Sequence, residues 1–210
     1  MENNYASAQL RFLGGLIDWL IRLGGMLFIL LRASQASDLL EIYDSLLYLM
    51  TFYLLWGMGS WLIQAYLISR FGGSVGNMLT GVKVVSERGV NLTFWRAVFR
   101  STIGALVSSM FLCLGYIWIL VDQKRQGWHD QISQNFVICP KSKTFLGLLS
   151  LTVFLLLNIY LVNLNISGFR RNQEFYKTLI RDLKIDIQEF SDTPPSDLPI
   201  EGDLPISYLH

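Results

Sequence analysis

Three ionisable residues stand inside an otherwise apolar stretch long enough to cross a bilayer. Arg11, Asp18 and Arg22 lie within the run from about Leu10 to Leu31, and a membrane helix needs roughly 20 such residues. A charge placed centrally in a membrane helix costs roughly 2.5–3.5 kcal/mol, so such groups face protein or water rather than lipid. At about 100° per residue the three fall within an arc of roughly 40° on one helix face. Gly14, Gly15 and Gly25 lie on or beside that face, and leucine, isoleucine and phenylalanine fill the rest. The pattern describes a helix with a smooth lipid side and a notched, charged side turned toward a partner.

A carboxylate surrounded by hydrocarbon binds a proton more firmly, and a nearby guanidinium opposes this. That competition is what a proton- or cation-coupled carrier uses, so Asp18 is the expected coupling residue, tuned by Arg11 or Arg22. Structural roles compete with this reading. Asp18 precedes Arg22 by four residues, the favourable order for an intrahelical ion pair, and Ser, Thr or Gln on a neighbouring helix is another partner. Arg11, near the helix entry, suits an anchor to lipid headgroups. Asp122, at the end of the third apolar segment, joins the cluster if it approaches Asp18; otherwise it meets water beside Lys124 and Arg125.

The elements that must position these groups are written in the hydropathy. Of the 210 residues 52% are hydrophobic and only 16% charged, with a net charge of +1. Soluble domains carry about a quarter charged residues, and a nucleic-acid surface would show a basic excess. The expected fold is an all-α polytopic membrane protein with four transmembrane helices, at about 10–31, 45–69, 101–121 and 144–165. Residues 1–140 form the main membrane domain and 141–166 an additional helix. The first segment is too long and too charged for a cleaved signal peptide.

Between the second and third segments, Phe71 to Asn77 is a glycine-rich turn, and Val82 to Ser86 reads as a strand. Glu87-Arg88-Gly89 is a turn, and Val90 to Phe94 is the expected return strand of a small cytoplasmic β-hairpin. Arg96 and Arg100, one turn apart, suit side chains that snorkel to headgroups. After Ile166 the tail is soluble in character. Phe175, Leu179, Leu183, Ile187 and Phe190 recur at helical spacing among basic residues, as in an amphipathic helix. The acidic end, with Asp-Leu-Pro-Ile at Asp197 to Ile200 and again at Asp203 to Ile206, is expected to be disordered.

Three features coincide in order: Arg11 with Asp18; the run Gly73 to Val85 followed by Phe94-Trp95-Arg96-Ala97-Val98-Phe99-Arg100; and Leu114 to Asp122 followed by Gln126-Gly127-Trp128-His129-Asp130. Together they resemble the RDD family of bacterial membrane proteins, over about Ala8 to Ile138. The resemblance matches the family's arginine to Arg11, its first aspartate to Asp18 and its second to Asp122. It also marks Gly81, Arg96, Arg100, His129 and Asp130 as motif positions. Asn77 stands where relatives commonly have Lys. The resemblance implies the bacterial cytoplasmic (inner) membrane and a transport-related role, with sodium–proton exchange associated with some relatives.

Neither Cys113 and Cys139 nor the two histidines have metal-ligand spacing, and no nucleophile accompanies His129 and Asp130. No metal, cofactor, enzymatic activity or nucleic-acid partner is therefore expected. His129 and Asp130 suit a loop contact that locks their segment to the bundle. The expected partners are the bilayer, a proton or monovalent cation, and a second copy of the chain, since four spans form a pathway most readily in a homo-oligomer. A non-catalytic membrane scaffold or assembly factor is the alternative. Positive-inside counting gives eleven basic residues inside against five if 101–121 crosses, and ten against six if it is re-entrant. The four-crossing path, with a cytoplasmic tail, is the expectation and the re-entrant path its alternative.

Overall fold

The computed structural model describes residues 5–110 and 114–192. The first helix, α1 (Ala8–Gln35), starts at Ser7, whose hydroxyl accepts from the Leu10 N–H. The second, α2 (Leu39–Phe71), starts at Asp38, which accepts from the Glu41 N–H at 2.8 Å. The acidic link is thus the first turn of α2, where carboxylates complement the helix dipole. A six-residue helix follows, α3 (Val75–Thr80), capped by Ser74, and then strand β1 (Lys83–Ser86).

The apolar stretch expected as one helix at 101–121 is broken. It consists of α4 (Phe94–Phe99), a π-helical turn at Arg100–Gly104, α5 (Ala105–Met110), then α6 (Leu114–Ile117) and a 3-10 turn at Trp118–Leu120. The two limbs, Phe94–Met110 and Leu114–Leu120, are bent by 104°. Beyond them lie α7 (Trp128–Ile132), strand β2 (Asn135–Ile138), α8 (Thr144–Arg171) and α9 (Gln173–Asp192).

The sheet is two-stranded and antiparallel, but its second strand is not 90–94. Lys83 faces Ile138 and Ser86 faces Asn135, so β1 pairs with β2. After the Gly89 turn the chain returns one hydrogen bond, from the Ser86 N–H to Val90. Asn91 then donates its side-chain amide to the Arg70 carbonyl at 3.0 Å, and Leu92 enters the core. Those two anchors convert the supposed return strand into the run-in to α4.

This pairing fixes the path of the bent limbs. β1 precedes them and β2 follows them, yet the strands are hydrogen-bonded neighbours. The limbs therefore enter and leave at the same end of the bundle, which is the re-entrant path. The amino terminus joins that end too: Tyr5 bridges Ile138, and the Ala6 N–H donates to Val137 at 2.9 Å. Among the described residues three helices, α1, α2 and α8, are long and apolar enough to cross a membrane. With the bent pair as the fourth apolar element, the plan is all-α and polytopic.

α8 runs parallel to α1, in a register set by asparagines spaced seven apart. Asn158 donates to the Leu20 carbonyl at 3.1 Å, Asn165 to Leu27 at 3.1 Å and Asn172 to Ala36 at 2.9 Å. A seven-residue repeat keeps one helix face on its neighbour. Because α8 leaves the sheet end alongside α1, α9 emerges at the opposite end. α9 is thus not on the side of Tyr5, where the four-crossing path would put it. The acidic repeats at 197–206 lie outside the described residues.

The tightly packed core is small and sits at the sheet end, where Ala6, Ala65, Ile68, Val84, Leu92, Ala97 and Val137 meet. Along the shafts, large side chains such as Phe28, Leu55, Phe145 and Leu156 point outward and are exposed. Those faces suit acyl chains, which are as apolar as leucine itself.

Candidate functional site

The amino-terminal pairing with β2 places Arg11 one turn into α1 and against α7. Asp130, at the third position of α7, reaches back to the N–H of Gly127 at 3.1 Å and so closes the first turn of its own helix. Arg100, the first residue of the π-helical turn, donates to one Asp130 oxygen through Nε at 3.0 Å and Nη2 at 2.8 Å. Arg11 donates through Nη2 to the other oxygen and through Nη1 to the Arg125 carbonyl. The Asp130 side chain is 0% exposed. One carboxylate thus joins α1, the re-entrant limb and α7.

His129 stands beside this knot. Its Nδ1 lies 3.1 Å from the Ser108 hydroxyl, which also accepts from the His129 N–H at 3.0 Å. Burial pushes the imidazole down to about 3; Asp130 opposes that, and Arg100 and Arg11 add to it. The ring is therefore uncharged at neutral pH. Burial alone would raise the Asp130 carboxyl, but Arg100, His129 and Arg11 outweigh it and hold the group below the ordinary carboxylate range. Two guanidiniums against one carboxylate leave the knot with a net positive charge.

Deeper along α1, Asp18 meets α3. Its Oδ1 accepts from the Gly76 N–H at 2.8 Å, and the Ser74 hydroxyl is a further partner. This is helix capping supplied from another helix, at the positive end of the α3 dipole. The contact needs glycine at 76, since a Cβ there would sit 1.9 Å from the Gly14 carbonyl oxygen. Arg22, one turn further, donates to the Gln64 side chain of α2 at 3.4 Å. No ion pair joins Asp18 to Arg11 or Arg22 among the described residues.

Asp122 is not part of this cluster. Its carboxylate accepts from the N–H groups of Lys124 at 3.0 Å and Gln126 at 2.9 Å and shapes its own loop. Asp130, not Asp122, is the aspartate that meets Arg11. The signal was present, since Asp130 stands three residues beyond Gly127, the spacing of a residue that caps its own helix. Which carboxylate the folded loop presents to Arg11 is a different matter, and spacing does not decide it.

The other motif positions serve the same framework. Arg96 donates to Gln134 at 2.9 Å and so ties α4 to the turn after α7. Gly81 ends α3 at φ +79°, and a Cβ there would lie 2.0 Å from the Lys141 carbonyl oxygen. The Lys143 N–H donates to Thr80 at 3.0 Å beside it, so α8 starts on the end of α3.

A cavity of about 930 Å³ opens between α1, α2 and the re-entrant limbs. Arg11, Asp18, Arg22, Arg100 and His129 all reach its wall, together with Gln64, Trp19 and Trp61. No group of three or more His, Cys, Asp or Glu among the described residues could hold a metal ion. The RDD family model matches residues 5–134, from the sheet-bound amino terminus through α7. No curated protein and no solved structure matches the chain.

Proposed function

This chain belongs to the RDD family of membrane proteins, and from that premise we propose that it is a carrier of the bacterial cytoplasmic membrane, coupled to a proton or a monovalent cation. The cavity between α1, α2 and the re-entrant limbs is the solute path in this reading, and Asp18 is its coupling carboxylate. The observation that carries it is the cavity itself: about 930 Å³ reaching an ionisable residue in the middle of a membrane helix. Intramembrane carboxylates in proton- and ion-coupled transporters stand at such cavities. Asp18 also keeps its hydrogen bonds to a short helix that borders the cavity, so a change in its charge reaches α3 directly. A homo-oligomer in the bilayer completes whatever wall three long helices leave open.

The test is flux in reconstituted vesicles, scanned over sodium, potassium and pH. Asp18→Asn should insert and fold yet lose ion- or pH-dependent flux. Unchanged flux in that variant sinks the reading. The second reading, a non-catalytic scaffold or assembly factor, draws on a specific observation too: Asp18 caps α3, and Asp130 locks three elements. It expects Asp18→Asn to lower stability and the wild-type protein to support no flux under any gradient.

A further inference from the structure

The charges that face the cavity do not balance. Arg11, Arg22 and Arg100 reach its wall, while Asp18 is the one carboxylate that does so among the described residues. Asp130, with its side chain 0% exposed, stands behind the wall and offsets one of the two arginines that hold it. His129 adds no charge at neutral pH. Counting Asp130 with Asp18, three guanidiniums face two carboxylates, and one positive charge remains.

The surplus itself lies at the Arg11–Arg100–Asp130 knot, since Asp18 answers the charge of Arg22 across one turn of α1. Arg22 is instead the guanidinium of the wall with the most spare donors. It lies fifteen residues into α1, at mid-shaft, and its hydrogen bond goes to a neutral amide at the long distance of 3.4 Å. The planar guanidinium has five donors arranged to match carboxylate or phosphate oxygens, and among the described residues one is used. Water in the cavity or an anion can take the others. The rest of the wall argues against water alone and against a small inorganic ion. Phe12, Leu16, Trp19, Trp61, Ile117 and Leu120 line it, and its volume is that of a site for an organic ligand, roughly 300–1,000 Å³.

We propose that this cavity binds an amphipathic organic anion, with its carboxylate or phosphate head on Arg22 beside Gln64 and its apolar body along the aromatic and aliphatic wall. The proposal names the solute class for the transport reading and uses the same cavity, but it requires binding only, not flux. In that reading Asp18 takes up a proton as the anion enters, which increases the positive charge around the head.

The shared chemistry, anionic oxygens on an apolar chain, has two sources: a lipid of the bilayer or a soluble amphiphile. Binding is read at equilibrium by the fluorescence of tryptophan, two of which (Trp19 and Trp61) line the site. The full-length protein, in discs of pure phosphatidylcholine, is titrated with decyl phosphate, decyltrimethylammonium, decanol and inorganic phosphate. Decyl phosphate should saturate about tenfold tighter than the cationic or neutral chain, corresponding to roughly 1.4 kcal/mol, and inorganic phosphate should bind more weakly still. Arg22→Gln should lose about tenfold of the decyl phosphate affinity. Arg22→Lys, which keeps the charge, should lose less, and Arg32→Gln, outside the cavity, should lose none.

Replacing half of the phosphatidylcholine by phosphatidylglycerol separates the sources. Competition with decyl phosphate identifies a lipid headgroup as occupant, and no competition identifies a soluble amphiphile; both support the site. Equal binding of the three decyl probes, or equal decyl phosphate affinity in wild type and Arg22→Gln, overturns it. Because no gradient is involved, a carrier reading that fails the flux test leaves this result standing, and the converse holds.

Discussion

Two charged centres on one face of α1 meet different fates. At the sheet end Arg11 is enclosed: Asp130 and the Arg125 carbonyl take its donors, and Arg100 completes the other side of the carboxylate. Mid-shaft, Asp18 and Arg22 are half-buried, each served by neutral groups, and both face the cavity. The same stripe of sequence thus yields a lock and an open site. A charge pair whose carboxylate is fully buried and multiply hydrogen-bonded holds elements in register. Charges left with spare hydrogen-bonding capacity beside a cavity are the ones available to a solute.

That contrast can be broken most severely at Asp130. Asp130→Asn leaves two buried guanidiniums short of a counter-charge and should cost about 3–5 kcal/mol, read as a loss of thermal stability in detergent or lipid. The same centre sets a pH dependence. An unfolded chain protonates His129 near its ordinary 6.5, whereas burial in the fold lowers it to about 3. Stability is therefore full above about pH 6.5 and declines as pH falls toward 3, because only the unfolded chain takes up the proton. The depressed Asp130 carboxyl extends that loss further into acid. A melting temperature that stays flat between neutral pH and pH 4 contradicts a buried, uncharged imidazole.

Gly81→Ala strikes the support of the open site. It forces a side chain into the left-handed region and against the Lys141 carbonyl, where α3 hands over to α8. Strain of this kind costs about 1–3 kcal/mol, and melting curves should register it. Asp18→Asn should be milder, about 1 kcal/mol, since an amide oxygen can still accept from the Gly76 N–H. A stability loss there as large as that of Asp130→Asn would erase the distinction between lock and open site. Asn158→Leu, at the α1–α8 interface away from both centres, should cost least, about 0.6 kcal/mol in a membrane. Thermal unfolding of that variant provides the reference for small effects.

Much of the plan was legible in local pattern. The apolar runs marked α1, α2 and α8, because a helix spanning lipid must satisfy its own backbone and present hydrocarbon outward. The strand at Lys83–Ser86 was legible too, and so was the turn at 72–74, since turn chemistry and β-branched residues act over a few positions. Val75 to Asn77, expected in that turn, instead open α3. Asparagines at 158, 165 and 172 carry a seven-residue period, but their partners are backbone carbonyls of α1, which no local pattern names. The second strand was not legible: Val90 to Phe94 follows a sound turn, and nothing local says that Asn91 and Leu92 will be claimed by α2 and the core. Nor was the bend of the re-entrant limbs, whose apolar composition equals that of a crossing helix.

From the chain alone came the charged stripe on α1, its course from the helix entry at Arg11 inward to Arg22, and the requirement that protein or water shield it. Those follow from helical periodicity and from the cost of charge in hydrocarbon, both of which are properties of a single segment. Only the tertiary structure decided which carboxylate answers Arg11. Asp130 lies 119 residues further along, and it arrives because β2 pairs with β1 and draws the re-entrant limbs back to the sheet end. Opposite charges that are distant in sequence find each other through the fold's long-range contacts. The same return of the chain walls the cavity against which Asp18 and Arg22 stand open.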